Sequence, residues 1–360
     1  TDTPCWSLVS PPSRVDLISV LLRTKDSAPG PDGLPYACWR AYPSQAVEAA
    51  TALFDDIMEG SVAPPSQVGV WIPKAKPGPY GDDYRPLGMP STIDRVLDAA
   101  IAACCIRALA AYMHPSQTML NAFREPQGAV VHLQRILDDG RPAAVLSVDM
   151  SKAFERVNPY WALAVLRRRG APAWLLRYAQ YLFFGRKIQH KVKGRLLPPR
   201  VVRQGVDMGR AFSVFMFCAA MDPVYWALNR IPRALGVEGY VDDCSVAGEL
   251  PRRDSHATTC LSWLRAARDI YDGVASAGFL VLDHDCFWSQ CHDSEGLPLA
   301  TLCAEPVPPS AVGVPPRLKW PSLWAAAQHG INSADTGQLI LLGRGAQWVA
   351  LTPPMTQEFL

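Results

Sequence analysis

The chain has 360 residues, with 35 Lys and Arg against 33 Asp and Glu, so its formal net charge at pH 7 is only +2. A chain of this length can bury a large core and divide into two or three lobes. The near-zero balance excludes a uniformly basic protein, and ten cysteines in this length are too few for a disulfide scaffold. Reduced, buried thiols in an intracellular protein fit better.

Several other classes are disfavoured. No apolar stretch is expected to reach the roughly 18–20 residues that span a bilayer, and the apolar run from Leu97 is stopped by Arg107. The first residues carry no basic-then-apolar targeting signal, and no G-x-S-x-G or H-E-x-x-H signature of a hydrolase occurs. The spacing of one Cys and His group matches none of the usual zinc patterns: Cys286, Cys291, His292 and Cys303. We expect an intracellular protein, nuclear or cytoplasmic, with no membrane partner.

Hydrophobic periodicity and turn residues predict the elements in chain order. The first two helices are expected at 14–23 and 44–58, separated by the turn-rich loop SAPGPDGLP at 27–35. Further helices are predicted at 93–112, 129–138, 159–170, 173–184, from 206 to about 229, and 255–277. Strands are predicted at 68–73, 143–148, 237–241, 244–247 and 279–282, with an apolar stretch at 339–343. This mixture of helices with antiparallel strands indicates an α+β protein.

Two acidic sites stand at the ends of apolar, strand-like runs. Asp149 follows the run 143–148, and Asp242 and Asp243 lie between two short runs in the sequence YVDD. Adjacent carboxylates repel each other, so a fold that keeps them together neutralises one or holds a cation. Without Cys or His beside them, these oxygen ligands favour Mg²⁺. Paired Mg²⁺ ions are a common solution for phosphoryl transfer, so the pattern indicates a nucleotidyl-transfer site.

The segment 186–203 contains seven basic residues and no acidic one. With Gly194 near its middle, it is expected to form a basic hairpin that follows a phosphate backbone. The alternative is a solvated two-stranded flap with no ligand. The side chains predicted to contact nucleic acid are Arg186, Lys187, Lys191, Lys193 and Arg195.

The ordered segments resemble the reverse transcriptase domain of non-LTR (LINE-type) retrotransposons, and more distantly the group II intron enzymes. The resemblance runs from about residue 14 to 290. It is carried by SAPGPDGLP, WIPK with DDYRPL, SQTMLNAFREPQGA, VDMSKAF, RQG, YVDD and GFLVLDHDC. Any one tetrapeptide is weak evidence, whereas the ordered set is specific.

The resemblance implies a right-hand polymerase fold with fingers, a palm with an antiparallel sheet, and a thumb that is absent or incomplete. It places fingers and the start of the palm at 1–140. The palm, with its catalytic motifs and the inserted hairpin at 186–203, falls at 141–290. Residues 291–360 would be the palm end, a primer-grip-like segment or a poorly defined C-terminal segment. The chain would then be a piece of a longer protein.

The resemblance also implies an activity, RNA-directed DNA polymerisation. Asp149, Asp242 and Asp243 would form the catalytic triad and hold two Mg²⁺ ions, with an RNA template, a DNA primer and dNTPs as partners. The alternative for Asp243, which is substantial, is that it contributes negative charge without binding a metal ion.

The resemblance assigns nucleotide binding to Lys74, Arg85, Phe154, Gln204 and Gly205. Lys74 and Arg85 would bind the triphosphate, unless they form ordinary surface ion pairs. Phe154 would exclude a ribose 2′-hydroxyl, unless it is simply a core ring. Gln204 and Gly205 would shape the pocket, with Gly allowing a close backbone approach.

The chain departs from the family pattern at three places. The second palm motif usually continues with Pro, Ser and Pro, but here the sequence is Val206-Asp207-Met208-Gly209-Arg210. Glu155 replaces an Asp, and Asp285 and Cys286 stand near the position of a lysine that would protonate pyrophosphate. These changes leave open a catalytically weakened RNA-binding scaffold or a degenerate element copy. An RNA-dependent RNA polymerase is disfavoured by Phe154.

Overall fold

The protein is described by a computed structural model in which two compact units are formed, residues 1–113 with 153–221 and residues 114–152 with 222–360. The predicted domain boundaries near 140 and 290 divide the chain by family role and stay predictions. The structure describes residues 6, 9–73, 84–109, 113–117, 143–148, 150, 152–192, 194–241, 243–249, 266–267, 269–271, 287–290, 339–342 and 348–351.

The described elements confirm the α+β class. The helices are α1 (Arg14–Arg23), α2 (Tyr36–Ala41), α3 (Pro43–Glu59), α4 (Thr92–Leu109), α5 (Ala153–Arg156), α6 (Pro159–Arg168), α7 (Ala173–Phe183) and α8 (Ala211–Leu228). The strands are β1 (Ser66–Pro73), β2 (Tyr84–Met89), β3 (Ala143–Val148), β4 (Lys187–Val192), β5 (Arg195–Leu196), β6 (Arg200–Val201), β7 (Ala234–Tyr240), β8 (Asp243–Glu249), β9 (Phe287–Gln290), β10 (Leu339–Leu342) and β11 (Trp348–Leu351).

The ends of these elements follow from local chemistry. Ser13 and Asp16 form a capping box at the start of α1, which satisfies free backbone N–H groups there. Gly60 ends α3 in the left-handed conformation, with φ +79°. Helix α8 begins at Ala211 rather than directly after Gly205, which corrects the predicted start. The predicted elements at 129–138 and 279–282 lie outside the described residues.

The first unit contains a sheet with the order β2-β1-β4-β5, in which β6 also pairs with β4. Strand β1 pairs with β2 antiparallel and with β4 parallel, so Ser66 lies opposite Lys187. The predicted basic hairpin is thereby confirmed as two strands, β4 and β5, joined at Gly194 with φ +80°. It is part of the same sheet as β1 and β2 rather than an isolated flap.

The second unit contains a sheet with the order β7-β8-β3-β9, and all three of its pairings are antiparallel. This arrangement places β3, which precedes Asp149, directly beside β8, which begins at Asp243. The apolar stretch predicted at 339–343 forms β10, which pairs antiparallel with β11.

Helix α8 corrects the expectation that no apolar stretch is long enough to cross a membrane. Its 18 residues have a mean hydropathy of 1.4 and meet the requirement by length and composition. The same segment is 72% buried inside the protein, and it contains Asp222 and Pro223. The core helix of a soluble protein passes the same test, so α8 is weak evidence for a membrane span.

Candidate active site and nucleic-acid surface

The YVDD sequence forms the tight hairpin between β7 and β8. Tyr240 pairs with Asp243, so only Val241 and Asp242 lie between the paired residues. Val241 has φ +59°, in a region that a β-branched residue rarely adopts and where strain clusters at functional sites. Asp242 lies outside the described residues, as does the side chain of Asp243. The hairpin therefore fixes the backbone on both sides of Asp242.

Strand β3 carries the second acidic site next to this hairpin. In the antiparallel register of β3 and β8, Val148 lies opposite Cys244. Asp149, which lies outside the described residues, follows Val148 directly in the chain. The register thus brings the chain neighbour of Asp149 beside a residue only two positions from Asp242, although the two acids are far apart in sequence.

The hairpin between β7 and β8 packs closely against other segments of the second unit. A Cβ added to Gly239 would lie 1.8 Å from Tyr225 Oη, so only glycine fits there. The Gly239 N–H donates to the Ser116 carbonyl at 3.0 Å, and the Tyr271 hydroxyl donates to Cys244 Sγ at 2.8 Å. Both strands of the hairpin are therefore anchored to neighbouring segments.

A buried polar cluster connects residues 114–117 to the C-terminal part of α8. The Asp222 carboxylate accepts from the His114 N–H at 2.7 Å and from Gln117 Nε2 at 3.3 Å. The His114 ring is 3% exposed and packs edge-on against Trp226, with 4.7 Å between ring centroids. Burial lowers the pKa of His114, so the neutral imidazole is the form that this packing favours.

In the first unit, the structure brings Phe154 and the Gln204-Gly205 turn together. The Val206 N–H donates to the Phe154 carbonyl at 2.6 Å, and the Gly205 N–H donates to the Val157 carbonyl at 2.9 Å. Gly205 has φ +77°, and an added Cβ would lie 2.3 Å from the carbonyl oxygen of Glu155. Only glycine therefore fits against the Glu155 backbone here, and the approach of Gly205 to a nucleotide stays a prediction.

The Phe154 side chain is half-buried and stacks on Phe217, with ring centroids 5.1 Å apart. The ring therefore packs against the core on one side and retains an exposed part. Gln204 is exposed, and its Nε2 donates to the Arg156 carbonyl at 3.0 Å. Both groups remain accessible to a ligand.

Arg85 is an exposed residue of β2, opposite Ile72 of β1. Side chains alternate along a strand, so Arg85 shares a face with Leu87. A Cβ added to Gly209 would lie 2.7 Å from Leu87 Cδ1. The face of β2 that carries Arg85 is thus the face that meets the segment following Gly205.

Residues 72–270, more than half of the chain, match the sequence model of the family described as reverse transcriptase (RNA-dependent DNA polymerase). The chain belongs to the reverse transcriptase family. Its fold is accordingly that of polymerase fingers and palm, and its activity is that of an RNA-directed DNA polymerase, a nucleotidyltransferase. A reverse transcriptase domain implies an RNA template, a primer and nucleotide substrates, and such domains generally use divalent metal ions.

The basic hairpin of this reverse transcriptase domain presents its charges on two opposite faces. Lys187 and Lys191 share one face of β4, and the register of the first sheet places Arg85 on that same face. Arg195 pairs with Val192, and Arg200 pairs with Ile188, so these two arginines lie on the other face. All five side chains are exposed, but a single backbone cannot run along both faces.

The second face also carries an aromatic pair. The rings of Trp71 and His190 stack with 5.2 Å between centroids, and Trp71 is 43% exposed. Burial and the positive charge of Arg200 both lower the pKa of His190. An exposed ring beside arginines is a platform on which a nucleic-acid base can stack. The sequence contains no local signal for this pair, because Trp71 and His190 are brought together by the parallel pairing of β1 and β4.

Arg186 departs from its predicted role. Its side chain is 2% exposed and forms an ion pair with Asp207, with 2.9 Å between Nε and Oδ1. Burial lowers the pKa of Arg186, and the charge of Asp207 opposes that effect. A guanidinium enclosed in this way does not present itself to a phosphate backbone, which corrects the prediction that Arg186 contacts nucleic acid.

The remaining predictions fall partly outside the described residues. Lys74, Lys193 and the Cys and His group near 286–303 lie there. Within the residues that the structure describes, no cluster of three or more His, Cys, Asp or Glu could hold a metal ion. A groove of about 380 Å³ between α6 and α7, lined by Tyr160, Arg167 and Phe184 among others, contains no predicted site residue.

Proposed function

We propose that this reverse transcriptase domain adds dNTPs to a primer 3′-hydroxyl on an RNA template, with two Mg²⁺ ions held by Asp149, Asp242 and Asp243. The proposal rests on the register that pairs Val148 with Cys244 beside the YVDD hairpin. Carboxylate oxygens are the donor set that Mg²⁺ prefers. When bound, such ions lower the pKa of the attacking hydroxyl and neutralise charge on the triphosphate.

The chain's own residues would position the nucleotide. Arg85 and Lys74 would bind the triphosphate, and the planar guanidinium of Arg85 suits paired phosphate oxygens. Phe154 would pack under the deoxyribose, and Gln204 with Gly205 would contact the base pair being formed. This assignment is supported by the backbone contacts between Phe154 and the segment 204–206.

The nucleic-acid backbone would run along the face that carries Lys187 and Lys191, because Arg85 lies on that same face of the sheet. Lys193, which lies outside the described residues, would contact the same backbone. Arg195 would act on the opposite face, beside Trp71 and His190, where a single-stranded part of the template could stack.

The two faces can be tested by paired substitutions. Lys187→Gln with Lys191→Gln removes two charges from one face, and Arg195→Gln with Arg200→Gln is the matched variant on the other. Each lost phosphate contact should flatten the log–log salt slope of binding by roughly 0.7–0.9. We expect the lysine double variant to flatten the slope measured with an RNA–DNA duplex. The arginine double variant should flatten mainly the slope measured with single-stranded RNA. Slopes unchanged in both variants would leave the hairpin as a solvated flap.

We also propose that the domain is of the non-LTR (LINE-type) class and acts inside the cell, in the nucleus or cytoplasm. The loop 27–35, one of the segments that carry this resemblance, lies before the matched range and is built into the first unit. Thr92 Oγ1 donates to the Leu34 carbonyl at 2.7 Å, and Arg95 Nη2 donates to the Ala28 carbonyl at 2.7 Å. None of the five cysteines of the described segments forms a disulfide, which suits a reducing compartment.

Primer extension on an RNA template with Mg²⁺ tests the central proposal. The wild-type chain should extend with dNTPs far better than with rNTPs, and Asp242→Asn should abolish extension while leaving the melting temperature close to that of the wild type. Asp55→Asn is the matched control, because it removes an exposed carboxylate from α3. Retained extension in Asp242→Asn would remove the metal assignment. Template binding without extension by the wild type would favour the non-catalytic scaffold.

A further inference from the structure

The Arg186 side chain holds the Gln204-Gly205 turn through hydrogen bonds to the backbone of the turn. Its Nη2 donates to the carbonyls of Gln204 and Gly205, at 3.1 and 3.0 Å, and its Nη1 donates to the Phe183 carbonyl at 3.2 Å. The Arg186 carbonyl in turn accepts from the Val202 N–H at 2.9 Å. One buried side chain thus joins the end of α7 to both residues of the turn.

Asp207 and Arg210, the two charged residues that depart from the family pattern, extend this contact into the interior of the first unit. Asp207 lies between Arg186 and Arg210, with 3.4 Å from its Oδ2 to Arg210 Nε. Arg210 is also 3.9 Å from the Asp98 carboxylate of α4. The Asp98 carboxylate accepts from the Phe212 N–H at 3.1 Å, in the first turn of α8, and from the Tyr178 hydroxyl at 3.2 Å.

All four charged side chains are enclosed, with exposures between 0 and 7%. A buried ion network of this kind is costly to desolvate and seldom adds stability over an apolar core. Its better-supported role is to specify one arrangement of the groups that it joins. Here those groups are the turn at 204–205, the ends of two helices and α4.

We infer that the buried network of Arg186, Asp207, Arg210 and Asp98 is a positioning device that sets the Gln204-Gly205 turn for nucleotide binding. It occupies the place where the family pattern has prolines, which restrict a backbone covalently. None of the four side chains needs to touch the nucleotide. Their effect is transmitted through the carbonyls of Gln204 and Gly205, and this part of the inference rests on the proposed function.

Arg186→Lys is the informative substitution. Lysine keeps the positive charge but gathers its donors at one nitrogen, so it cannot reach two sets of carbonyls and Asp207 together. Arg95→Lys is the matched control, because Arg95 also donates to a backbone carbonyl, that of Ala28. Both variants weaken a guanidinium–carbonyl contact in the first unit, but only one contact supports the turn.

Two measurements test the inference. Amide hydrogen exchange should become roughly tenfold faster at Gly205 and Val206 in Arg186→Lys and stay unchanged there in Arg95→Lys. In primer extension, Arg186→Lys should raise the KM for dNTP roughly tenfold with little change in kcat or in template–primer affinity. Asp207→Asn, which keeps the shape and removes the charge, should reproduce both effects, and it replaces Arg186→Lys if that variant fails to fold.

The outcomes separate the inference from the proposed function. Unchanged exchange at Gly205 and Val206 would overturn the positioning role, whatever the activity. Equal changes in KM for Arg186→Lys and Arg95→Lys would do the same, since they would reflect general loss of stability. If the wild type extends no primer, the proposed function fails, while the exchange data still decide whether the network holds the turn.

Discussion

Replacing Gly205 by alanine is expected to lower both the stability of the domain and the activity of the nucleotide site. At φ +77°, an alanine costs about 1–2 kcal/mol, because its Cβ crowds the backbone in the left-handed region. The added Cβ would also lie 2.3 Å from the Glu155 carbonyl oxygen, with the neighbouring carbon at 2.5 Å. These are backbone atoms, so the turn and α5 must separate by roughly 1 Å to reach ordinary contact.

This overlap adds roughly 1–3 kcal/mol, as overpacking does elsewhere. The second consequence is geometric, because a shift of about 1 Å in positioning groups can reduce a rate on the order of a hundredfold. Helix α5 carries Phe154, so the shift would move two predicted nucleotide contacts at once. We therefore expect kcat/KM for dNTP to fall by about two orders of magnitude.

Gly33→Ala provides the matched control. Gly33 has a similar φ of +71°, but a Cβ there would meet no atom within 4 Å. The free energy of unfolding of Gly33→Ala should fall only by the conformational cost of about 1–2 kcal/mol, and this variant should retain activity. Urea unfolding at constant m-value measures the stability of both variants, and steady-state primer extension measures their activity. Equal stability losses, with activity in Gly205→Ala within a few-fold of the wild type, would contradict the close approach at this turn.

Two further substitutions test other contacts. Phe154→Val should raise the ratio of ribonucleotide to deoxyribonucleotide kcat/KM about a hundredfold if a clash worth about 3 kcal/mol is removed; an unchanged ratio with a lower melting temperature would leave Phe154 as packing on Phe217. For His114, burial holds the pKa in the folded state below the unfolded value near 6.5, so the unfolded chain takes up the proton first. Stability should therefore fall as the pH drops below about 6.5. His114→Gln should flatten that part of the curve of urea midpoint against pH, and equal slopes in the two proteins would show that His114 does not contribute.

Much of the fold could be predicted because its signals are local. The run 143–148 is apolar and of strand length, the loop 27–35 is rich in turn residues, and Gly60 follows a helical periodicity. The structure has the strand, and the helices beside the loop and the glycine, close to their predicted bounds. The parallel pairing of β1 with β4 could not be predicted, because it joins residues more than a hundred positions apart. Without that pairing, neither the stacking of Trp71 on His190 nor the position of Arg85 on the face of Lys187 and Lys191 can be derived.

The prediction for Arg186 failed for a different reason. A count of basic residues treats the segment 186–203 as one surface, although Arg186 precedes β4 and turns inward to Asp207. The sequence does contain a signal, since Asp207 and Arg210 are charges in a segment that leads into a strongly apolar helix. Charges at such a place are buried and need partners, so the basic residues of the segment 186–203 were candidate partners for Asp207.

The exchange of prolines for charges changes how the turn at 204–205 depends on the rest of the protein. A proline restricts its own φ and that of its neighbour whatever surrounds it. The ion network restricts the same segment only while Arg186, Asp207, Arg210 and Asp98 are all enclosed, because water would compete for each pair. The geometry of the turn is thereby coupled to the packing of α4 and to the N-terminus of α8, so substitutions around Asp98 should alter nucleotide binding without touching the nucleotide. Asp98→Asn is the variant in which that coupling should be most evident, since its carboxylate meets both Arg210 and the first turn of α8.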